Sequence, residues 1–143
     1  MGLFLQDINL KGKTALVTGA TKGLGRGAAI AIAQAGGNII AVGRNQFELN
    51  SLSREIKKLK VKYSAISCDV NDYNKIKSYI SNLKNLDILV NNAGTNIPED
   101  FLHVKQVSME TILNVNTKAT FNIAQLCANQ IIKLKRKSGS IIN

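Results

Sequence analysis

The clearest chemistry in this chain belongs to the segment Thr18-Gly19-Ala20-Thr21-Lys22-Gly23-Leu24-Gly25. It follows the apolar run Thr14-Ala15-Leu16-Val17 and opens a helix-forming stretch. Its glycines let the backbone turn tightly and come close to a ligand. Free N–H groups at the helix start, with the positive end of the helix dipole, then suit a phosphate. The spacing is Gly-x-x-x-Gly-x-Gly rather than the commoner Gly-x-Gly-x-x-Gly. Thr18, Gly19, Thr21, Lys22, Gly23, Leu24 and Gly25 are therefore the expected cradle for a dinucleotide pyrophosphate.

The end of the second apolar run bears on which dinucleotide that is. A carboxylate about 20 residues beyond the glycines would hold a ribose 2′-OH. Here the stretch reads Val42-Gly43-Arg44-Asn45, with no acid. Arg44 and Lys22 offer two cations that suit a 2′-phosphate, which favours NADP over NAD. Other reactive groups are sparse. His103 is the single histidine and forms no Ser-His-Asp arrangement, so a surface position is expected. Glu99 and Asp100 read as solvated loop charges. Cys68 and Cys127 match no metal or disulfide spacing, and no metal site is expected.

Positioning these groups requires strands and helices in alternation. Residues 13–18, 38–43, 62–68, 86–90 and 140 onward read as strands. Ile39-Ile40-Ala41-Val42 and Ile88-Leu89-Val90 are continuously apolar, as suits parallel strands covered on both faces. Leu49, Leu52, Ile56 and Leu59 form the apolar stripe of one helix. Tyr73, Ile76, Ile80 and Leu83 line another, with Asn71 as its capping candidate. A longer helical stretch is expected over 108–132. In the first helix Gly23, Gly27 and Ala31, with Ala28 and Ala35 alongside, suggest a small-residue ridge against the sheet. The alternation implies right-handed crossovers and an α/β, Rossmann-like doubly wound parallel sheet, with 1–143 forming one domain.

Composition narrows the partners. The 143 residues carry 19 Lys and Arg against 9 Asp and Glu, a net charge of +10. Basic residues crowd 54–62 and 133–137, and the first cluster lies on the solvated face of a helix. With three Tyr, no Trp and no interleaving of basic and aromatic residues, a nucleic-acid partner is not expected. No apolar run is long enough for a membrane span. Met1 to Gln6 lacks the pattern of a signal peptide, and Gln6 stands where myristoylation wants Ser or Thr. A cytoplasmic location is the expectation.

Three motifs in order make a resemblance specific: Thr18-Gly19-x-x-x-Gly23-x-Gly25, Cys68-Asp69-Val70 after the third strand, and Asn91-Asn92-Ala93-Gly94 after the fourth. Together they resemble the classical short-chain dehydrogenase/reductase family, from Leu10 to Asn143. The resemblance implies that Asp69 and Val70 sit by the adenine. Asn92, Ala93 and Gly94 would lie along the ribose and nicotinamide. Asn116 matches the asparagine of the family's catalytic tetrad. The implied activity is hydride transfer between NADP(H) and a carbonyl or secondary alcohol of a small molecule, in a homo-oligomer.

The resemblance also implies what should follow. The family's Ser and Tyr-x-x-x-Lys stand at and beyond the fifth strand, whereas this chain ends at Ile141-Ile142-Asn143. Tyr63, Tyr73 and Tyr79 fall in other elements. The expectation is an N-terminal portion of strand order 3-2-1-4-5, incomplete at the C-terminus and inactive alone. A non-catalytic dinucleotide sensor on this scaffold, or a basic nucleic-acid-associated domain, are the alternatives.

Overall fold

Strands without polar alternation need cover on both faces, and the fold supplies it. The computed structural model describes residues 8–143, so the readings made of Met1 to Gln6 lie outside the described residues. The elements run β1 (Thr14–Thr18), α1 (Gly23–Gln34), β2 (Asn38–Gly43), α2 (Gln46–Lys57), β3 (Tyr63–Ser67), α3 (Tyr73–Ser81) and β4 (Ile88–Val90). A short 3-10 turn (Phe101–His103) leads to α4 (Gln106–Leu113), a π turn (Asn114–Ala119), α5 (Thr120–Lys133) and β5 (Ser140–Ile142). The sheet is parallel throughout, in the anticipated order β3-β2-β1-β4-β5.

β1 is central and buried along its whole length. Successive residues point to opposite faces. Leu16, Ile40, Val42 and Leu89 meet Ile76 and Ile80 of α3 and Ile123, Cys127 and Ile131 of α5. Ala15, Val17, Ile39 and Ala41 meet Ala29 and Ala33 of α1 and Leu49, Leu52 and Ile56 of α2. Two apolar layers thus clamp the sheet, so the strand ends rather than the strand faces are left for a ligand.

Three local expectations are corrected. The ridge of α1 that packs on the sheet is Gly25, Ala29 and Ala33, not Gly23, Gly27 and Ala31. A Cβ on Gly23 or Gly27 would meet nothing within 4 Å. The cap of α3 is Asp72, whose carboxylate accepts from Lys75 N at 3.1 Å, and not Asn71. The long helix starts at Gln106 and is broken by the π turn, a single-turn feature that recurs at functional sites.

A buried charge ties the opposite end of the sheet. Asp87, 2% exposed, takes two bonds from Arg136, Nε to Oδ1 at 2.8 Å and Nη2 to Oδ2 at 2.9 Å. It also accepts from Thr14 N at 2.9 Å, with Lys13 Nζ 3.7 Å away. Arg136 therefore leaves the basic cluster of 133–137 to serve the interior. No helix among the described residues is long and apolar enough to cross a membrane.

Candidate functional site

Because all strands run the same way, their C-terminal ends share one edge, and the three motifs meet there. The chain leaves β1 through Gly19 at φ +63° and enters α1 at Gly23 at φ +54°, both in the left-handed region that glycine tolerates. Lys22, the residue before α1, is extended and offers no side-chain cap. The first N–H groups of α1 are thus without a side-chain acceptor, as an anion site requires.

The turn is closed from behind by the Asn91-to-Gly94 segment. Asn92 Nδ2 donates to Thr18 O at 3.1 Å and to Gly19 O at 3.3 Å. Ala93 N donates to the Thr18 hydroxyl at 3.0 Å. A Cβ on Gly19 would stand 2.9 Å from Asn92 Nδ2 and 3.1 Å from Ala93 Cα. One on Gly25 would overlap Gly19 O and Asn92 Nδ2 outright. Close approach requires glycine at both places, and at Gly19 the left-handed backbone requires it as well.

Above this seam lies a cleft of about 370 Å³. Gly19, Thr21 and Lys22 form one wall, Val42, Gly43 and Arg44 the next, Cys68 to Asn71 a third, and Asn92 to Thr95 the fourth, with Thr111 and Val115 beside it. Of the residues named from sequence, Gly19, Thr21, Lys22, Arg44, Asp69, Val70, Asn92, Ala93 and Gly94 line it. Thr18 and Gly25 lie buried beneath it, while Leu24, 87% exposed, points to solvent beside exposed Gly23.

Charge around the cleft is unevenly answered. Arg44 Nη1 is 3.8 Å from Asp69 Oδ2, a loose and exposed pair of little energetic weight. Asp69 Oδ1 accepts from Asn71 N at 2.8 Å, which fixes the turn after β3 rather than capping α3. Lys22 makes no ion pair among the described residues. Cys68 donates its thiol to Asp69 O at 3.1 Å, and burial, with Asp72 nearby, pushes that thiol up from its usual range. Cys127, deep in the core, is pushed up to about 12 by burial.

Asn116 sits in the π turn and clasps the far wall. Its Oδ1 accepts from Thr95 N at 2.8 Å, and its Nδ2 donates to Thr95 O at 2.9 Å. Asn91, which opens the third motif but has no role of its own assigned from sequence, is buried and links three elements. Its Nδ2 donates to Thr120 O at 2.8 Å and to Asn143 Oδ1 at 3.2 Å, while its N–H donates to Ile142 O. Asn116, with both ends of its amide bonded, ties the π turn to the segment after β4, while Asn91 ties the end of β4 to α5 and β5.

Groups outside the cleft keep to the surface. His103 is exposed and its Nδ1 lies 2.6 Å from Asp100, a pairing the sequence reading did not anticipate. Glu99 accepts from Lys105 N at 3.1 Å. Tyr73 and Lys77 do have the Tyr-x-x-x-Lys spacing, with Lys77 Nζ 5.8 Å from the centre of the Tyr73 ring. Their position, not their spacing, sets them aside, because α3 brings neither into the cleft lining. Among the described residues no cluster of His, Cys, Asp or Glu could hold a metal.

Known proteins share this arrangement. The short chain dehydrogenase family model matches residues 13–143. L-xylulose reductase of Mus musculus is 34% identical over 137 residues, covering 96% of this chain and 54% of that protein. A 2-deoxy-D-gluconate 3-dehydrogenase candidate from Agrobacterium tumefaciens, solved with bound NADP, superposes with a TM-score of 0.85. It is 31% identical, with 95% of this chain and 54% of that one covered. A short chain dehydrogenase from Mycobacterium paratuberculosis bound to NAD gives a TM-score of 0.86 at 25% identity, with 94% and 56% covered. The chain spans about half the length of the curated relatives it matches. A family match from β1 to the end of β5, on strands in this order and with these motifs at their ends, has one meaning: the chain belongs to the short-chain dehydrogenase family.

Proposed function

We propose that this chain is the cofactor-binding part of an NADP(H)-dependent oxidoreductase that interconverts a carbonyl and a secondary alcohol on a small molecule. The observation that carries the cofactor choice is the pair Lys22 and Arg44 on adjoining walls of one cleft, with no carboxylate at the end of β2. The names of relatives, L-xylulose reductase among them, support a small carbonyl substrate.

The nicotinamide, when bound, supplies the hydride. The chain binds and orients it. Backbone N–H groups between Gly19 and Gly25 face the pyrophosphate, where a side chain on Gly19 or Gly25 would intrude. Asp69 and Val70 flank the adenine, and Asn92 to Gly94 run along the ribose and nicotinamide. Asn116, through its two bonds to Thr95, holds that wall in place for the reacting end. The chain by itself binds nucleotide without turnover, since among the described residues no Ser, Tyr and Lys converge on the cleft. Self-association fits the apolar side chains of Val107, Leu113 and Phe121 exposed on α4 and α5.

Fluorescence titration with NADPH and NADH tests the reading. NADPH should bind more tightly. Arg44→Asp should weaken NADPH by about 10- to 100-fold, the weight of a charge-assisted contact replaced by repulsion. Equal affinity for both nucleotides, unchanged by Arg44→Asp, would reduce Arg44 to a surface cation and remove the NADP assignment.

A further inference from the structure

Lys22 and Arg44 stand on different segments, and both are long, exposed side chains. Two such side chains act on one phosphate only if their backbones are held in register, because each loses rotamer freedom on binding. The glycine turn and the end of β2 meet at two short-range contacts. Ala20 N donates to Val42 O at 3.2 Å. Thr21 Cγ2 also packs over Gly43, where a Cβ would stand 2.6 Å from it.

A third tie is longer and charged. Arg26, in the first turn of α1, reaches across to α2. Its Nη2 donates to Glu55 Oε2 at 2.8 Å and to Ser51 Oγ at 3.3 Å. Its Nη1 reaches Thr21 O at 3.5 Å. The planar guanidinium alone among side chains spans such a fork. α2 is the helix that Arg44 and its neighbour Asn45 lead into, with Asn45 as its cap. Arg26 does not line the cleft, and Glu55 answers its charge.

We infer that Arg26 is a positioning residue for 2′-phosphate recognition: by locking the glycine turn to α2 it sets the separation of Lys22 and Arg44. The inference rests on the NADP reading above. Arg26 touches no phosphate and acts through the two cations that do.

Glu55→Gln separates this role from a simple field effect. Removing an acid raises the local positive potential, so a field effect alone tightens NADPH binding. Positioning predicts the reverse, because a neutral amide oxygen replaces the carboxylate and weakens the anchor of Arg26 on α2. The expected result is an NADPH-over-NADH preference reduced about fivefold in Glu55→Gln and in Arg26→Met, with NADH affinity within twofold of wild type. Arg26→Lys should recover part of it, since an ammonium reaches Glu55 but cannot fork to Ser51 and Thr21. The double variant should lose no more than Arg26→Met, as residues on one pathway do. Glu55 is half-exposed, so its variant keeps the fold even if Arg26→Met does not. Tighter or unchanged NADPH binding in Glu55→Gln overturns the role of Arg26. Absence of any NADPH preference in the wild type is a different outcome and overturns the NADP reading instead.

Discussion

Two glycines on one helix, two residues apart, should respond to alanine with opposite sign. Gly27 lies on the exposed face of α1 with open space around its missing Cβ. Alanine there removes the backbone-entropy cost of glycine in a helix, so Gly27→Ala should stabilise by about 0.5–1 kcal/mol. Gly25 gains the same helix propensity, but its Cβ is driven into Gly19 O and Asn92 Nδ2. Gly19 O is backbone and has nowhere to go. Relief requires α1 to draw back from the turn, at about 1–3 kcal/mol for overpacking. The two bonds from Asn92 to Thr18 O and Gly19 O are then lost, at about 1 kcal/mol each. The net for Gly25→Ala is about 2–4 kcal/mol of destabilisation. Urea unfolding followed by circular dichroism measures both, with the slope required to stay constant so that a midpoint shift means a stability change. On heating, the pair should part in opposite directions from wild type. A Gly25→Ala midpoint equal to wild type, or a Gly27→Ala loss comparable to that of Gly25→Ala, would refute the packing of α1 described here.

The pH dependence has a definite sign at the alkaline end. Burial raises the Cys127 thiol from 9.0 to about 12 and the Tyr63 phenol, despite a lowering by Arg26, from 10.0 to about 12. The unfolded chain therefore releases these protons first, and stability falls as pH rises from about 9 to about 12, by at most about 1.4 kcal/mol per pH unit for Cys127 and by less for the half-buried Tyr63. Stability flat across that window in urea titrations would contradict it. The same burial keeps the thiols protonated, so a disulfide reagent at pH 8 should label Cys127 only on unfolding; rapid labelling of the native protein speaks against the buried position. Asp87→Ala should cost about 2–4 kcal/mol, because Arg136 and Thr14 N lose their acceptor below the sheet. A loss under about 0.5 kcal/mol by urea unfolding would class the pair with ordinary surface ion pairs.

What could be read from sequence were patterns with short periods. Unbroken apolar runs at 39–42 and 88–90 became β2 and β4, and the order of motifs at the strand ends matched the order of the sheet. The stripe Leu49, Leu52 and Ile56 was buried as its spacing requires. The rotation of α1 about its axis was not legible. Small residues recur on both faces, and the packed face is chosen by Gly25 meeting Gly19, a contact made by the shape of the turn. The tie from Arg136 to Asp87 spans 49 residues, and nothing local distinguishes Arg136 from the lysines around it. Asn116 was found through the family resemblance, but the π turn that presents it to Thr95 leaves no mark in the spacing of side chains. Asn71 and Asp72 are equally good caps by residue type, and the geometry after Asp69 decides for Asp72.

The placement of β1 between β2 and β4 has a consequence for the chain as it is made. Neighbouring strands on the β3 side are close in sequence, as with Asn38 and Lys62, 24 residues apart. The other flank of β1 waits for a partner much further on, as with Thr14 and Asp87, 73 residues apart. A growing chain can therefore pair β1, β2 and β3 while one edge of β1, a strand built to be wholly buried, stays open. Such an edge is where newly made chains stick to one another. The seam from Asn92 and Ala93 to Thr18 forms only when β4 arrives. The arrival that completes the cleft is also the one that covers the open edge of β1.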